Sequence, residues 1–314
     1  MPDKKISELT ELTSSNPTGD VVPVVATLAD ETKKIRLYNL PMTESAVNFS
    51  YPYTVDFDGG VVQTRNLTGT SPSGKYLNGA VSGGFGPPNF STVDSVYIGS
   101  NVKIIGDHTF FNFSNLTSVT ISDGVEFIED FAFTFCPIST VTIPDSVTGI
   151  GHGVFEVCGS LTGVKISNSL KTIGGSMFSD CSGLSSIRIP DGVTGIGSSA
   201  FARTSLTGIT IPNNVTLIED SAFDACPNLT SITIGSGVTE IGMRAFRNCS
   251  GLSTINLLAP TPPKTFTFLR NEVSEDSQAF PFFGVASGAT INVPVGADYP
   301  TTFGGLPVSF NLTT

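Results

Sequence analysis

Pairs of β-branched residues separated by one residue return along the middle of the chain at a nearly constant interval. They are Val96/Ile98, Val119/Ile121, Val141/Ile143, Val164/Ile166, Ile187/Ile189, Ile209/Ile211, Ile232/Ile234 and Ile255/Leu257, at steps of 22 or 23 residues. Apolar residues alternating with polar ones over about five positions mark a short strand with one buried face. Eight pairs therefore predict eight strands. Between them Ile105, Ile128, Ile150, Ile173, Ile196, Ile218 and Ile241 keep the same steps. Each is followed five residues later by a phenylalanine: Phe110, Phe133, Phe155, Phe178, Phe201, Phe223 or Phe246. Val102, Val125, Val147, Leu170, Val193, Val215 and Val238 stand three residues before those isoleucines. Leu116, Ile138, Leu161, Leu184, Leu206, Leu229 and Leu252 introduce the next strand.

One such coil has nothing to bury its apolar residues against. Coils stacked about 4.8 Å apart bury them in a continuous column, at roughly 1.5 to 3 kcal/mol per large side chain. The pattern thus predicts a β-rich repeat solenoid with a parallel sheet along one side. The segment from each Ile to its Phe suits a single helical or 3₁₀ turn. Composition agrees, with 33 Gly, 20 Pro, no Trp and 14% charged residues, a balance that favours short strands and turns over helical bundles.

The run LTSITIGSGVTEIGMRAFRNCSG, residues 229–251, closely resembles the BspA-like class of leucine-rich repeats, and the resemblance extends over residues 93–257. It implies a curved solenoid used for adhesion or display, without catalysis. The chain divides on this reading into residues 1–40, 41–92, a solenoid of seven to eight coils over 93–257, and a capping coil over 258–314. In the last of these, strand-like residues 290–293 followed by Pro294 and Gly296 resemble the truncated final coil of such arrays. Within residues 41–92, a strand pair is expected around Asp58-Gly59-Gly60, with residues 53–57 on one side and 61–64 on the other.

The first forty residues are different in kind. Lys5 to Leu12, Gly19 to Val25 and Thr32 to Leu40 are similar to the N-terminal attachment segment of bacteriophage tail fibres, head fibres and related virion proteins. That resemblance implies a virion anchor made by Ile6, Leu9, Leu12, Val21, Val22, Val24, Val25, Ile35, Leu37 and Leu40, docked on other virion proteins. Oligomerisation within the particle is expected with it. The whole then reads as a phage fibre or decoration protein, made in a host cytoplasm and located in the virion. The competing readings are a BspA-like bacterial surface adhesin and a decoration protein that stabilises a capsid without binding a ligand.

The formal net charge is −11, which disfavours nucleic acid as a partner because counterion release needs a basic face. No apolar run has the length of a signal peptide or of a bilayer span, so no membrane insertion is expected. All five cysteines, Cys136, Cys158, Cys181, Cys226 and Cys249, fall three residues after the repeat phenylalanine. Their parallel alignment and odd number point to a buried free-thiol ladder, and thiols in a line cannot surround a zinc ion. Two residues after each strand stand Ser100, Asp123, Asp145, Asn168, Asp191, Asn213 and Ser236, expected to cap their own turns by bonding backbone two residues on. A calcium ladder there is the weaker alternative. His108 and His152 occupy different repeat offsets and have no nucleophile or phosphate-binding motif beside them.

No enzyme and no cofactor is therefore expected. The candidate ligand face is the outward row of the sheet: Tyr97, Thr120, Thr142, Lys165, Arg188, Thr210, Thr233 and Asn256. Lys165 and Arg188 are its only cations, adjacent near the middle, and in so acidic a chain they favour an anionic sugar or an acidic protein loop from a host surface.

Overall fold

The computed structural model describes the backbone of residues 34–38, 54–58 and 60–62, and residues 94–99, 102–265 and 280–312. It is a parallel β-solenoid in which each repeat makes one coil. On one side lie Ser95–Ile98, Ser118–Ile121, Thr140–Thr142 and Gly163–Lys165, then Gly208–Ile211, Ser231–Ile234, Thr254–Leu257, Thr290–Pro294 and Leu306–Leu312. They pair in register, Val96 beside Val119 and Ile209 beside Ile232, Ile255 and Ile291 in turn, so identical repeat positions stack on one another. A second, narrower side is made by two- to four-residue strands that end on the repeat isoleucine, with Ile173, Ile196, Ile218 and Ile241 in one file.

The third side is built of turns. Thr109 N–H donates to the Gly106 carbonyl at 3.2 Å and Phe113 N–H to the Phe110 carbonyl at 3.3 Å, the three-residue span of 3₁₀ turns. Alternate amides point along the stack instead: Phe110 N–H reaches Ala132, Phe133 reaches Val154 and Phe155 reaches Met177, at 2.7, 2.9 and 3.0 Å. The backbone achieves this by turning left-handed two residues before and two after the phenylalanine, as at Phe131 (φ 55°) and Phe135 (φ 62°). A non-glycine residue in that region costs about 1 to 2 kcal/mol, and the β-branched Val157 (φ 57°) carries the same conformation. Regular amide bonding between coils offsets that strain.

Inside the triangle the repeat phenylalanines form an unbroken stack. Phe110, Phe133, Phe155, Phe178, Phe201, Phe223, Phe246 and Phe282 lie with consecutive ring centroids 5.1 to 5.9 Å apart and ring planes within 18° of parallel. Burial of these rings, the isoleucine file and the leucines that precede each strand is what holds one coil on the next.

Two details differ from the pattern the sequence predicts. Thr54–Asp58 and Gly60–Val62 do not form a hairpin: the first pairs in parallel with Lys34–Tyr38 and with Ser95–Ile98, the second with Val102–Ile105. These two strands therefore lie on successive sides of the solenoid, as the two strands of any repeat coil do. Strands from residues read as anchor and spacer thus extend the repeat's own sheet. Ile35 and Leu37 lie in the first of them, while Ile6, Leu9, Leu12, Val21, Val22, Val24, Val25 and Leu40 lie outside the described residues.

The Ile187/Ile189 pair forms no strand, and the broad sheet is interrupted there, between Gly163–Lys165 and Gly208–Ile211. Lys165 and Arg188 would face one another across that ladder, and like charges directly opposite destabilise a strand pair. At the far end, Phe282 continues the aromatic stack and residues 290–294 continue the sheet. Pro294 has no N–H to donate, and beyond it Leu306–Leu312 adds a final parallel strand with an irregular register, turned back on by Thr302–Phe303.

The sequence places Glu129-Asp130 and Glu219-Asp220 in coils too far apart to meet each other. The structure uses each pair as a staple. Glu129 accepts from the Asp107 amide of the preceding coil at 2.9 Å, and Asp130 from the His152 amide of the following coil at 2.7 Å. Glu219 and Asp220 do the same to Ser198 and Met243 at 2.8 Å each. The Asp carboxylate occupies the space where a Cβ on Gly151 or Gly242 would sit, which explains glycine immediately after the isoleucine in those coils. Asp220→Ala leaves the Met243 amide unpaired, and a loss of about 1 kcal/mol is expected in urea denaturation; an unchanged midpoint would show that water replaces the carboxylate.

Candidate ligand-binding face

Strand pleating sends alternate residues of the broad sheet outward. Ser118 and Thr120 are exposed on either side of buried Val119, and Thr140 and Thr142 on either side of buried Val141. The result is two outward rows. The predicted row of Tyr97, Thr120, Thr142, Lys165, Arg188, Thr210, Thr233 and Asn256 lies on this face in coil order, each residue about one coil from the next, and exposed or half-buried throughout.

The row is longer than the repeat pattern suggests. Asn292 registers with Asn256 and donates to its side-chain oxygen at 2.9 Å, and Ser309 registers with Asn292. The signal was present in the sequence, since Thr290-Ile-Asn-Val repeats Thr254-Ile-Asn-Leu, but a 36-residue step conceals it. At the opposite end, Arg36 and Asp56 hold the register positions next to Tyr97.

One margin of the face is fixed by hydroxyls. Thr117, Ser139, Thr162, Thr207, Thr230 and Ser253 each donate a side-chain hydroxyl to the backbone carbonyl at the same position one coil back, at 2.9 to 3.4 Å. Part of the hydroxyl-rich surface is therefore structural cement. The rows nearer the centre of the face present theirs to solvent.

The two cations are less isolated than their row implies. Arg188 donates to Asp191 at 3.2 Å, a pair whose side chains are both more than three-quarters exposed and which contributes little to stability. Asp145 lies near Lys165. Its carboxyl is held below the usual range first by the amide and side chain of Asn168, and only then by the lysine charge. Both acids come from the Asx column, whose geometry departs from expectation. Asp145 accepts from the amide of Asn168 at 2.8 Å, and Asn213 from that of Ser236 at 3.0 Å, so these side chains bridge coils instead of capping their own turns. Stacking at a 23-residue step puts the next coil's amide nearer than the amide two residues on. The turn-capping role falls to Ser167, which accepts from Ser169 N–H at 3.1 Å. Ser100 lies outside the described residues.

The five thiols are buried in a ladder, each donating to the carbonyl of the repeat phenylalanine one coil back: Cys136 to Phe110, Cys158 to Phe133, Cys181 to Phe155, Cys226 to Phe201 and Cys249 to Phe223, at 2.9 to 3.2 Å. All are free, with no disulfide among them. Burial pushes the Cys158 thiol up to about 12 and raises Cys136 and Cys181 as well. His108 lies between the rings of Phe111 and Phe131 with Nδ1 2.7 Å from Asp107, whereas His152 is exposed two coils further on. Among the described residues no group of three His, Cys, Asp or Glu side chains is placed to hold a metal ion, and no helix is long and apolar enough to cross a membrane.

These features define a leucine-rich-repeat solenoid with an extended, polar strand face. The chain belongs to the BspA type leucine rich repeat family, whose pattern matches six copies over residues 89–206 and 149–273. Among solved structures it is similar to a leucine rich cell surface protein from Faecalibacterium prausnitzii A2-165, at 23% identity over 76% of each chain with a TM-score of 0.39. It is also similar to a T. pallidum leucine rich repeat protein, at 20% identity over 61% of this chain and 86% of that one with a TM-score of 0.43. A third is the Pneumococcal vaccine antigen PcpA, at 15% identity over 88% of this chain and 87% of that one with a TM-score of 0.36. No curated protein matches the chain.

Proposed function

We propose that the chain is a non-enzymatic recognition rod of the adhesin kind, which presents the broad sheet face to a ligand on a cell surface. The observation that carries this reading is the outward row from Tyr97 to Asn292, one residue per coil, with Lys165 and Arg188 both exposed at the single break in the broad sheet among the described residues. A flat face of hydroxyls and amides suits the hydroxyl groups of a polysaccharide or the backbone of a protein loop. The two cations would select an anionic member of either class.

The test is binding of the full chain to immobilised sulfated, carboxylated and neutral polysaccharides. Binding to the anionic members is expected. Lys165→Glu combined with Arg188→Glu should weaken it by at least about tenfold with an unchanged melting temperature, since both side chains are exposed. Binding that survives the double reversal, or that ignores ligand charge, would sink the assignment of this face.

A second reading keeps the same rod and mounts it on a phage particle. Its support is the sequence of residues 1–40 quoted above. It places other virion proteins at that end, the receptor at the sheet face, and several copies in one particle. Co-purification of the full chain with intact particles, and its loss when residues 1–40 are removed, is the outcome this reading requires. Retention on the particle with a blank sheet face would favour a decoration protein that only stabilises the capsid.

A further inference from the structure

The turn side of the solenoid ends in an edge that neither the core nor the sheet face uses. Two repeat positions line it, two residues before the phenylalanine and two after it, and the position one after the phenylalanine joins them at Phe111, Glu156, Arg247 and Phe283. In the first two coils these positions hold His108, Phe111, Phe131 and Phe135, with Phe111 and Phe135 in edge-to-face contact at 5.4 Å. In the last they hold Phe280 and Phe283. Phe135, Phe280 and Phe283 are 45%, 40% and 37% exposed, unusual values for rings on a soluble surface.

Between the two aromatic ends the edge is charged. Arg203 grips Asp180 through two bonds of 2.6 and 2.7 Å, and Arg247 grips Asp224 through two of 2.9 and 2.7 Å, in each case reaching back one coil. Glu156 lies beside the first pair, its carboxyl raised by partial burial and then by Asp180. Charge is also unequal along the rod. Residues 94–156 contain eight acids and one cation, whereas residues 157–264 contain six acids and seven cations.

We propose that two copies of this chain pair antiparallel along this edge. The eight stacked phenylalanines number eight coils, and their midpoint falls between the coils of Phe178 and Phe201, at the Asp180–Arg203 ion pair. A two-fold axis at that point makes the edge complementary to itself. The rings of the first coil meet Phe280 and Phe283 of the second copy. Phe131 and Phe135 meet Arg244 and Arg247, an arrangement that suits cation–π contact. Asp180 of each copy faces Arg203 of the other, and Glu156 comes opposite Asp224, whose charge Arg247 already balances within its own copy. A parallel pairing would instead set Asp180 against Asp180 and Arg203 against Arg203. The edge is about 34 Å long and only a few side chains wide, at the low end of specific interfaces. The dimer is therefore weak, with a dissociation constant on the order of tens to hundreds of micromolar.

Sedimentation equilibrium of the full chain, followed up to about 500 µM, tests this at the concentrations such an affinity demands. The unmodified chain should approach a dimer. Phe280→Glu with Phe283→Glu, both exposed side chains that face the rings of the first coil, should raise the dissociation constant at least about tenfold without changing the melting temperature. For the register, Phe135→Cys with Asn248→Cys places new thiols in the second and seventh coils, too far apart to be joined within one chain by a short bis-maleimide. With the five native thiols buried, only dimers linked 135 to 248 are expected. A monomer at every concentration, self-association indifferent to the two glutamates, or links joining 135 to 135 would each overturn the proposal.

Discussion

Phe201→Ala is expected to destabilise the solenoid by about 4 kcal/mol in urea denaturation, the range for truncating a fully buried aromatic ring. Phe201 has no exposure and stacks between Phe178 at 5.5 Å and Phe223 at 5.1 Å, so the substitution leaves a cavity and breaks two ring contacts together. The neighbouring coils cannot collapse freely into the gap, because the amide ladders on the narrow side and the turn side hold their spacing. In a stack where each coil touches only its neighbours, the loss falls on the two junctions that flank this coil. Unfolding in two steps, one for each half of the rod, would express the same damage. Phe135→Ala, which removes an exposed ring, should cost well under 1 kcal/mol. If the two variants behaved alike, the aromatic stack would not be what couples the coils.

Alkaline pH should weaken the fold almost as strongly, through the thiol ladder. Burial raises the folded-state values of Cys136, Cys158 and Cys181, Cys158 to about 12. An unfolded cysteine titrates near 8.5. Above that pH the unfolded chain releases protons that the folded chain retains, so the contribution of these thiols is complete below about 8.5 and declines as pH rises toward the folded values. Each raised thiol then withdraws on the order of 1 kcal/mol by pH 9.5, and together they lower stability by a few kcal/mol relative to pH 7.5. Denaturation at those two pH values measures it directly. Cys158→Ala should lower stability at neutral pH yet flatten part of the alkaline decline. A decline that does not respond to removing Cys158 would assign it to other groups.

The repeat itself was readable residue by residue, because burial in a stacked coil imposes the same demand at the same offset in every turn. Val96, Ile105, Phe110 and Leu116 and their successors announce a buried column, and the outward Thr and Asn positions follow from strand pleating. The Cys slot was legible as a ladder for the same reason. Partners across coils were not. Whether Asp145 reaches the backbone two residues ahead or the amide of Asn168 depends on coil spacing, which no local pattern states. The same holds for Glu129 and Asp130, which look idle when compared only with each other and prove to bind the coils on either side. Asn292 escaped because an insertion breaks the period, and the sequence Asp58-Gly59-Gly60 misled because the strands on either side of it pair with different neighbours and not with each other.

Sequence alone determined that this chain stacks, what lies inside each coil and which residues face outward, since those follow from periodic burial summed over many identical contacts. Tertiary structure alone decided where the broad sheet breaks at Lys165 and Arg188, which acids accompany those cations, and how rings and ion pairs gather on the turn edge. These depend on what lies one coil away, about 23 residues along the chain and about 5 Å in space, and on charges that repel or pair only when folding brings them together.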